Sequence, residues 1–526
     1  MRLDTIIENA HVVTRDPERP TAVRIGLWQG RIAGVDDEID GLDAAEVIDA
    51  GGAVVLPGFI DAHTHLQLTG QGLLAIDISA ADSVDQALAI IAERSQTFAA
   101  DQWVEISGYD QRAIGRDLTA AELDQAAGGR KAWARHISSH SSVISNAVIR
   151  DIPDAAGRDL AQRTHGVLRE VEQDLVRAQR LPYSLEEAGR TIEIAAEQAR
   201  REGVTFCMDA GAGGRIGSLN PLDLSTHQRL LEQGRIPVRM QLMPSLDALH
   251  AVQGGHGDGF GCGLDIGLRT GIGSDRLRVG GLKVVIDGGM MVRTARFTEP
   301  YEGSDNRGQY STDPDELIAG IVDGHRAGWQ LAVHAIGDAA IDVALEAFGQ
   351  ADAYGGTAGR RHRIEHGGLI RPDHIAELAA REIAIVGQPS FLYDSGDDFA
   401  RQMGPKRAPW LYRGRSLVDA GVRVVGSTDR PLAGTPLRAI QVLADRTSNS
   451  GAIIGDGEQL TVSEALDTVT THAAWVAGME DRLGRISAGF LADFTVLDRS
   501  PLDVEVSEIA GIGVRATVVD GQWSDV

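Results

Sequence analysis

Leu56-Pro57-Gly58-Phe59-Ile60-Asp61-Ala62-His63-Thr64-His65 is the stretch from which the rest of the 526-residue chain is read. An apolar run leads into two histidines one residue apart. Alternate residues of a strand share a face, so both imidazoles can converge on one ion. A lone His-x-His is weak evidence, and two incidental loop histidines are the plain alternative. What strengthens the metal reading is that the pair stands where an apolar strand runs out, the place where (β/α)8 barrels build their active sites.

Working outward, a barrel needs further strands alternating with helices. Candidate runs fall at 53–59, 203–209, 236–243, 278–286, 329–334, 361–366, 383–387 and 422–427. Eight short apolar runs with helical stretches between them suit a closed barrel better than an open sheet. One such helix spans Pro314 to His325, with Leu317, Ile318, Ile321 and Val322 at helical spacing. The gap from about 70 to 200 exceeds one helix and predicts an inserted subdomain after the first barrel strand. Residues 1–53 and 485–526 read as short alternating strands with turn residues such as Asp520-Gly521, and are expected to pair as one small β-sandwich domain flanking a barrel of residues 54–484.

Other residues of metal-binding chemistry stand at equivalent strand ends. His334 closes Leu331-Ala332-Val333, and His366 closes Arg363-Ile364-Glu365; each is either a ligand or a hydrogen-bonded core histidine. Asp429 closes the eighth run, where an N-cap for the next helix is the ordinary role. Lys283 lies within the fourth, among residues expected to be buried, and burying an unpaired ammonium costs several kcal/mol. It either snorkels to the rim or serves as a neutral amine carboxylated by CO2, giving an anion that bridges two metal ions.

His63, His65, Lys283, His334, His366 and Asp429 together resemble the ligand set of the amidohydrolase superfamily, in its order and strand positions. The closer resemblance is to amidohydrolase family 3, the N-substituted formamide deformylase-like branch, and it covers nearly the whole chain. Three further stretches look like that branch: Ser139 to Ala147; Asp287-Gly288 with Arg293-Thr294-Ala295 and Pro300-Tyr301; and Thr471 to Gly478. The resemblance implies a metal-dependent hydrolase of non-peptide C–N bonds using one or two Zn2+ ions, with His140, Arg293 and Tyr301 lining the substrate pocket. It departs at Arg430, where the branch usually has an aromatic residue. That arginine either recognises a substrate carboxylate or pairs with a nearby acid.

In this reading Asp429 accepts the proton of the attacking water and passes it to the departing nitrogen, because amines leave poorly unless protonated. The alternatives are a mononuclear deaminase or cyclic amidase of the same superfamily, or a barrel kept as a non-catalytic scaffold. His250, His256 and Cys262 fall in a glycine-rich loop and are discounted as ligands, and His136 and His472 are read as hydrogen-bonding residues. The net charge of −25 argues against nucleic acid and anionic membranes as partners and leaves a small-molecule substrate. Two cysteines are too few for a disulfide framework, and no apolar run reaches membrane-spanning length, so a cytoplasmic protein is expected, with a homodimer as its assembly.

Overall fold

The strand Arg2–Glu8 buries alternate residues, Leu3, Thr5 and Ile7, as expected of a strand with one face on a core. In the computed structural model, which describes residues 2–215, 217–252, 262–432 and 434–526, it lies in a four-stranded sheet with Ile25–Trp28, Arg31–Val35 and Asp43–Asp49. A second sheet has six strands in the order Gln522–Asp525, Val514–Val519, Phe494–Leu497, Val54–Pro57, His11–Val13 and Thr21–Ala22. The two sheets share one core of Ile7, Val12, Ile25, Val55, Phe494, Val496 and Val518. Strands from far apart in the chain thus sit side by side, Val54 opposite Leu497 and Pro57 opposite Phe494.

Eight parallel strands carry the residues of interest: β1 (Phe59–Thr64), β2 (Val204–Ala212), β3 (Arg239–Pro244), β4 (Leu282–Val285), β5 (Leu331–Ala335), β6 (Arg363–His366), β7 (Ala384–Gly387) and β8 (Val424–Gly426). They are almost wholly buried, as parallel strands covered on both faces are. One sheet orders them β1-β2-β3 with Leu277–Val279 outside β3, and the other β4-β5-β6-β7-β8. Isolated parallel bridges join the two sheets on either side, Ser245, just past β3, to Lys283 on β4, and Thr64 on β1 to Arg430, just past β8.

Two of the expected strands are corrected. The run 53–59 is divided at Gly58: Val54–Pro57 belongs to the six-stranded sheet, and the parallel strand begins at Phe59. A side chain at Gly58 would collide with Thr205 on β2, so the crossing needs glycine. The run 278–286 is likewise two strands, Leu277–Val279 beside β3 and β4 beside β5, divided at Gly280-Gly281.

The chain divides into two compact units, one of residues 1–65, 196–217 and 227–526, the other of 66–195 and 218–226. The second unit has its own five-stranded sheet, in the order Val167–Arg169, Ser141–Ile144, Ala132–His136, Val104–Tyr109 and Ile76–Asp77. Its core includes Ile91, Val104, Ile106, Leu123 and Val143. Among the described residues no helix is long and apolar enough to cross a membrane.

Candidate metal centre

Parallel register brings the polar strand ends to one level. Val285 pairs with His334 across β4 and β5, and Ala335 with His366 across β5 and β6. His366 and Asp429 have left-handed φ values of 72° and 54°, a strained backbone that tends to mark functional positions. The resulting cluster is buried: His63 is 0%, Lys283 4%, His366 3% and Asp429 9% exposed.

Within it, Asp429 Oδ1 lies 3.3 Å from His65 Nε2 and 3.5 Å from His63 Nε2. Lys283 Nζ stands 3.2 Å from His63 Nε2. The His63 and His366 rings are 5.1 Å apart, and those of His334 and His366 4.3 Å. Among the described residues, His63, His366 and Asp429 each offer one ligand atom within 4.8 Å of the others.

The proton positions follow from what each imidazole meets behind it. His63 Nδ1 is 2.5 Å from Glu365 Oε2, His65 Nδ1 is 2.9 Å from the Ala210 carbonyl, and His366 Nδ1 is 2.7 Å from Gln388 Oε1. The Gln388 amide is oriented because its Nε2 donates to Ser427 Oγ at 3.0 Å and to the Val386 carbonyl at 3.3 Å. Each of these partners accepts, so each Nδ1 carries the hydrogen and each Nε2 keeps its lone pair. His334 is reversed. Its Nε2 faces the Gly288 carbonyl at 3.3 Å and Asp287 Oδ1 at 3.4 Å, which leaves Nδ1 as the basic nitrogen.

Electrostatics keep His63 and His366 unprotonated. Burial, with the charge of Lys283, pushes His63 well below the usual histidine range, and burial with His334 and His63 does the same to His366. Burial alone would raise Asp429, but His63, His65 and Lys283 hold its carboxyl below the usual value. Burial likewise opposes ionisation of Glu365, and the Arg363 guanidinium overcomes it. Lys283 is pushed down by burial to about 8. Four imidazole lone pairs, an anionic carboxylate and a readily neutralised amine form a donor set that fits a zinc-class divalent cation.

A sequence model of the amidohydrolase family matches residues 46–524. The chain belongs to the amidohydrolase family. It is 28% identical to the N-substituted formamide deformylase of Arthrobacter pascens, with 98% of this chain and 97% of that protein covered. It is 25% identical to the putative amidohydrolase YtcJ of Bacillus subtilis, covering 92% and 91%. Among solved structures, a metal-dependent hydrolase of Pyrococcus furiosus matches at 25% identity and a TM-score of 0.73, over 95% of this chain and 100% of that one. One from Pyrococcus horikoshii shares the fold with a TM-score of 0.77 at 22% identity, over 96% and 99%.

In this amidohydrolase the six ligand candidates lie in the same unit, at or beside the ends of parallel strands. The four candidate substrate contacts fare differently. Of the two roles open to Arg430, the structure has the pairing with acids: it is 3% exposed, with Nε 3.2 Å from Asp61 Oδ2 and Nη2 2.8 Å from Glu202 Oε2. Tyr301 is 1% exposed, with its hydroxyl donating to the Ala295 carbonyl and its ring edge-on to Phe297. Arg293 is exposed on its loop with φ 57°. His140 belongs to the second unit, where its Nδ1 is 3.0 Å from Glu170.

Of the discounted residues, His136 meets Ser138 Oγ, His472 donates to the Val424 carbonyl, and exposed His250 pairs with Asp265. His256 lies outside the described residues. Glu365, Gln388 and Asp287 were not singled out one by one in the sequence, although Asp287 sits in a quoted stretch. Asp287 accepts backbone N–H groups from Ile336 and Gly337, at 3.0 and 2.9 Å, and so fixes the turn that follows His334. A buried Glu two residues from a buried Arg on one strand was the available signal for the Arg363–Glu365 pair.

Proposed function

We propose that this amidohydrolase cleaves a non-peptide C–N bond, that of an N-formyl or N-acyl amine, with one or two zinc-class ions held by His63, His65, His334, His366, Lys283 and Asp429. The observation that carries the reading is the fixed tautomers. Four acceptors behind four imidazoles turn the opposite ring nitrogens, with their lone pairs, toward a buried carboxylate and the Lys283 amine. The likeness to the formamide deformylase along nearly its whole length supports the choice of bond. We also read the eight parallel strands as a closed (β/α)8 barrel, supported by the bridges at both sheet edges.

A bound zinc-class ion would polarise the scissile carbonyl and make water a nucleophile near neutral pH. Asp429, anionic and next to His63 and His65, takes a proton from the attacking water and delivers it to the leaving nitrogen. Glu365 and Gln388 keep His63 and His366 in one tautomer throughout. Lys283, with its amine partly neutral near pH 8, attacks CO2 through the Nζ lone pair and loses a proton to give a carbamate, adding a second anionic ligand.

The test is product analysis with metal-loaded protein on a panel of N-alkyl and N-aryl formamides and N-acetyl amines. Formate or acetate should appear in step with free amine. Ammonia from an amidine-type ring, without formate or acetate release, would overturn the choice of bond and favour a deaminase.

A further inference from the structure

We propose that Asp61 is a positioning residue for Asp429, tying the His63/His65 strand to the loop that carries the carboxylate. This rests on the reading of Asp429 as a metal-site carboxylate that moves protons. Asp61 lies on β1, two residues before His63, and is 1% exposed. Its carboxylate grips the residues on either side of Asp429 rather than Asp429 itself. Oδ1 accepts the Thr428 backbone N–H at 3.0 Å, Oδ2 accepts the Thr428 hydroxyl at 2.6 Å, and Oδ2 also pairs with Arg430 Nε at 3.2 Å.

The backbone completes the clamp. Asp429 N donates to the His63 carbonyl at 2.9 Å, and His65 N donates to the Arg430 carbonyl at 3.0 Å. Glu202 holds the far side of the Arg430 guanidinium at 2.8 Å, and Thr428 Oγ1 accepts the Arg430 backbone N–H at 3.2 Å. Asp429 has φ 54°, a conformation that a non-glycine residue keeps only where its surroundings over-determine it. Asp61 supplies that determination from the same strand that bears two ligands. The distance between the carboxylate and the His63/His65 pair is thereby set by the Asp61 side chain together with the two backbone hydrogen bonds.

An ordinary buried salt bridge would serve folding alone. The two roles separate in Co2+-loaded protein, whose visible d–d absorption reports the geometry of the ligands and requires no substrate. Asp61→Asn, Thr428→Val, Asp429→Asn and the Asp61→Asn/Asp429→Asn double variant are compared at equal Co2+ occupancy by elemental analysis. Asp61→Asn is expected to shift the absorption in the same direction as Asp429→Asn. It should also lower kcat for amide cleavage by about 10–100-fold with KM unchanged, the range typical of residues that orient ligands. The double variant should be no slower than Asp429→Asn and show the same spectrum, because once the carboxylate is gone its clamp has nothing to place.

Thr428→Val leaves the Asp61–Arg430 ion pair in place and should move the spectrum less in the same sense. It decides the matter if Asp61→Asn does not fold. A wild-type spectrum in the folded Asp61 variant, or in Thr428→Val, overturns the inference, as do kcat losses that multiply in the double variant. Wild-type protein that binds no Co2+ would instead sink the metal-site reading on which the inference stands.

Discussion

Two buried charged clusters in the same unit invite comparison. Around Arg239, which is 0% exposed, every charge is answered: Nε and Nη2 donate to Asp493 at 2.6 and 2.9 Å, Asp520 also pairs with it, and Nη1 donates to the Asp275 carbonyl at 3.1 Å. Asp493 in turn accepts the Asp520 backbone N–H at 3.0 Å. Around Asp429 the arrangement differs, since His63 and His366, held neutral by burial, converge with the carboxylate as ligand atoms rather than as matched opposite charges. A satisfied cluster joins two parts of a fold. One in which buried imidazoles and a carboxylate converge has instead the donor set of a candidate metal site.

The comparison can be broken in several ways. The largest effect should come from Asp429→Asn, which is expected to lower kcat by about 10^3–10^4-fold with bound metal largely retained, as loss of a general acid–base group does. Steady-state kinetics with elemental analysis checks it, and metal loss in a still-folded variant would make Asp429 chiefly a ligand. Next, Arg239→Ala should cost about 3–5 kcal/mol of stability in chemical denaturation, because the Asp493 carboxylate is left buried without its counter-charge, while activity per folded molecule stays near wild type. Equal damage to both would erase the distinction between the clusters.

Smaller effects probe the groups behind the ligands. Gln388→Leu removes the acceptor at His366 Nδ1 and should weaken metal affinity by about 10–100-fold in a chelator competition, without exposing the core. Least of all should be the response to pH and bicarbonate. With Lys283 near 8, roughly a tenth of the amine is neutral at pH 7 and about half at pH 8. Metal reconstitution should therefore gain from bicarbonate, and proceed a few-fold further at pH 8 than at pH 7. Lys283→Ala should abolish that dependence, and a wild-type protein indifferent to bicarbonate would argue for an unmodified lysine.

Much of this was legible in the sequence because it was local. His63 and His65 alternate on one strand, His334 and His366 each close an apolar run, and Lys283 stands out by its apolar neighbours. The ring of acceptors that fixes the tautomers was not legible, because His63 meets Glu365 across 302 residues and Asp61 meets Thr428 across 367. Such contacts exist only once strands are side by side. The choice between the two roles open to Arg430 was not legible for the same reason, since Asp61 and Glu202 are distant in sequence. The break of one apolar run into Val54–Pro57 and β1 turns on the steric fit of Gly58 against Thr205, which hydrophobic patterning does not record.

The pairing of Val54–Pro57 with Phe494–Leu497 also has a consequence in time. Only one residue, Gly58, separates that strand from β1, which carries the His63/His65 pair. On a ribosome adding about 5–20 residues per second, the earlier strand waits about 20–90 s for its partner, roughly 440 residues downstream. Until then one edge of Val54–Pro57, the strand that leads into β1, is bare. The metal centre is therefore expected to mature late, after synthesis has passed residue 497, and a nascent chain halted short of that point should be a client for chaperones rather than a working hydrolase.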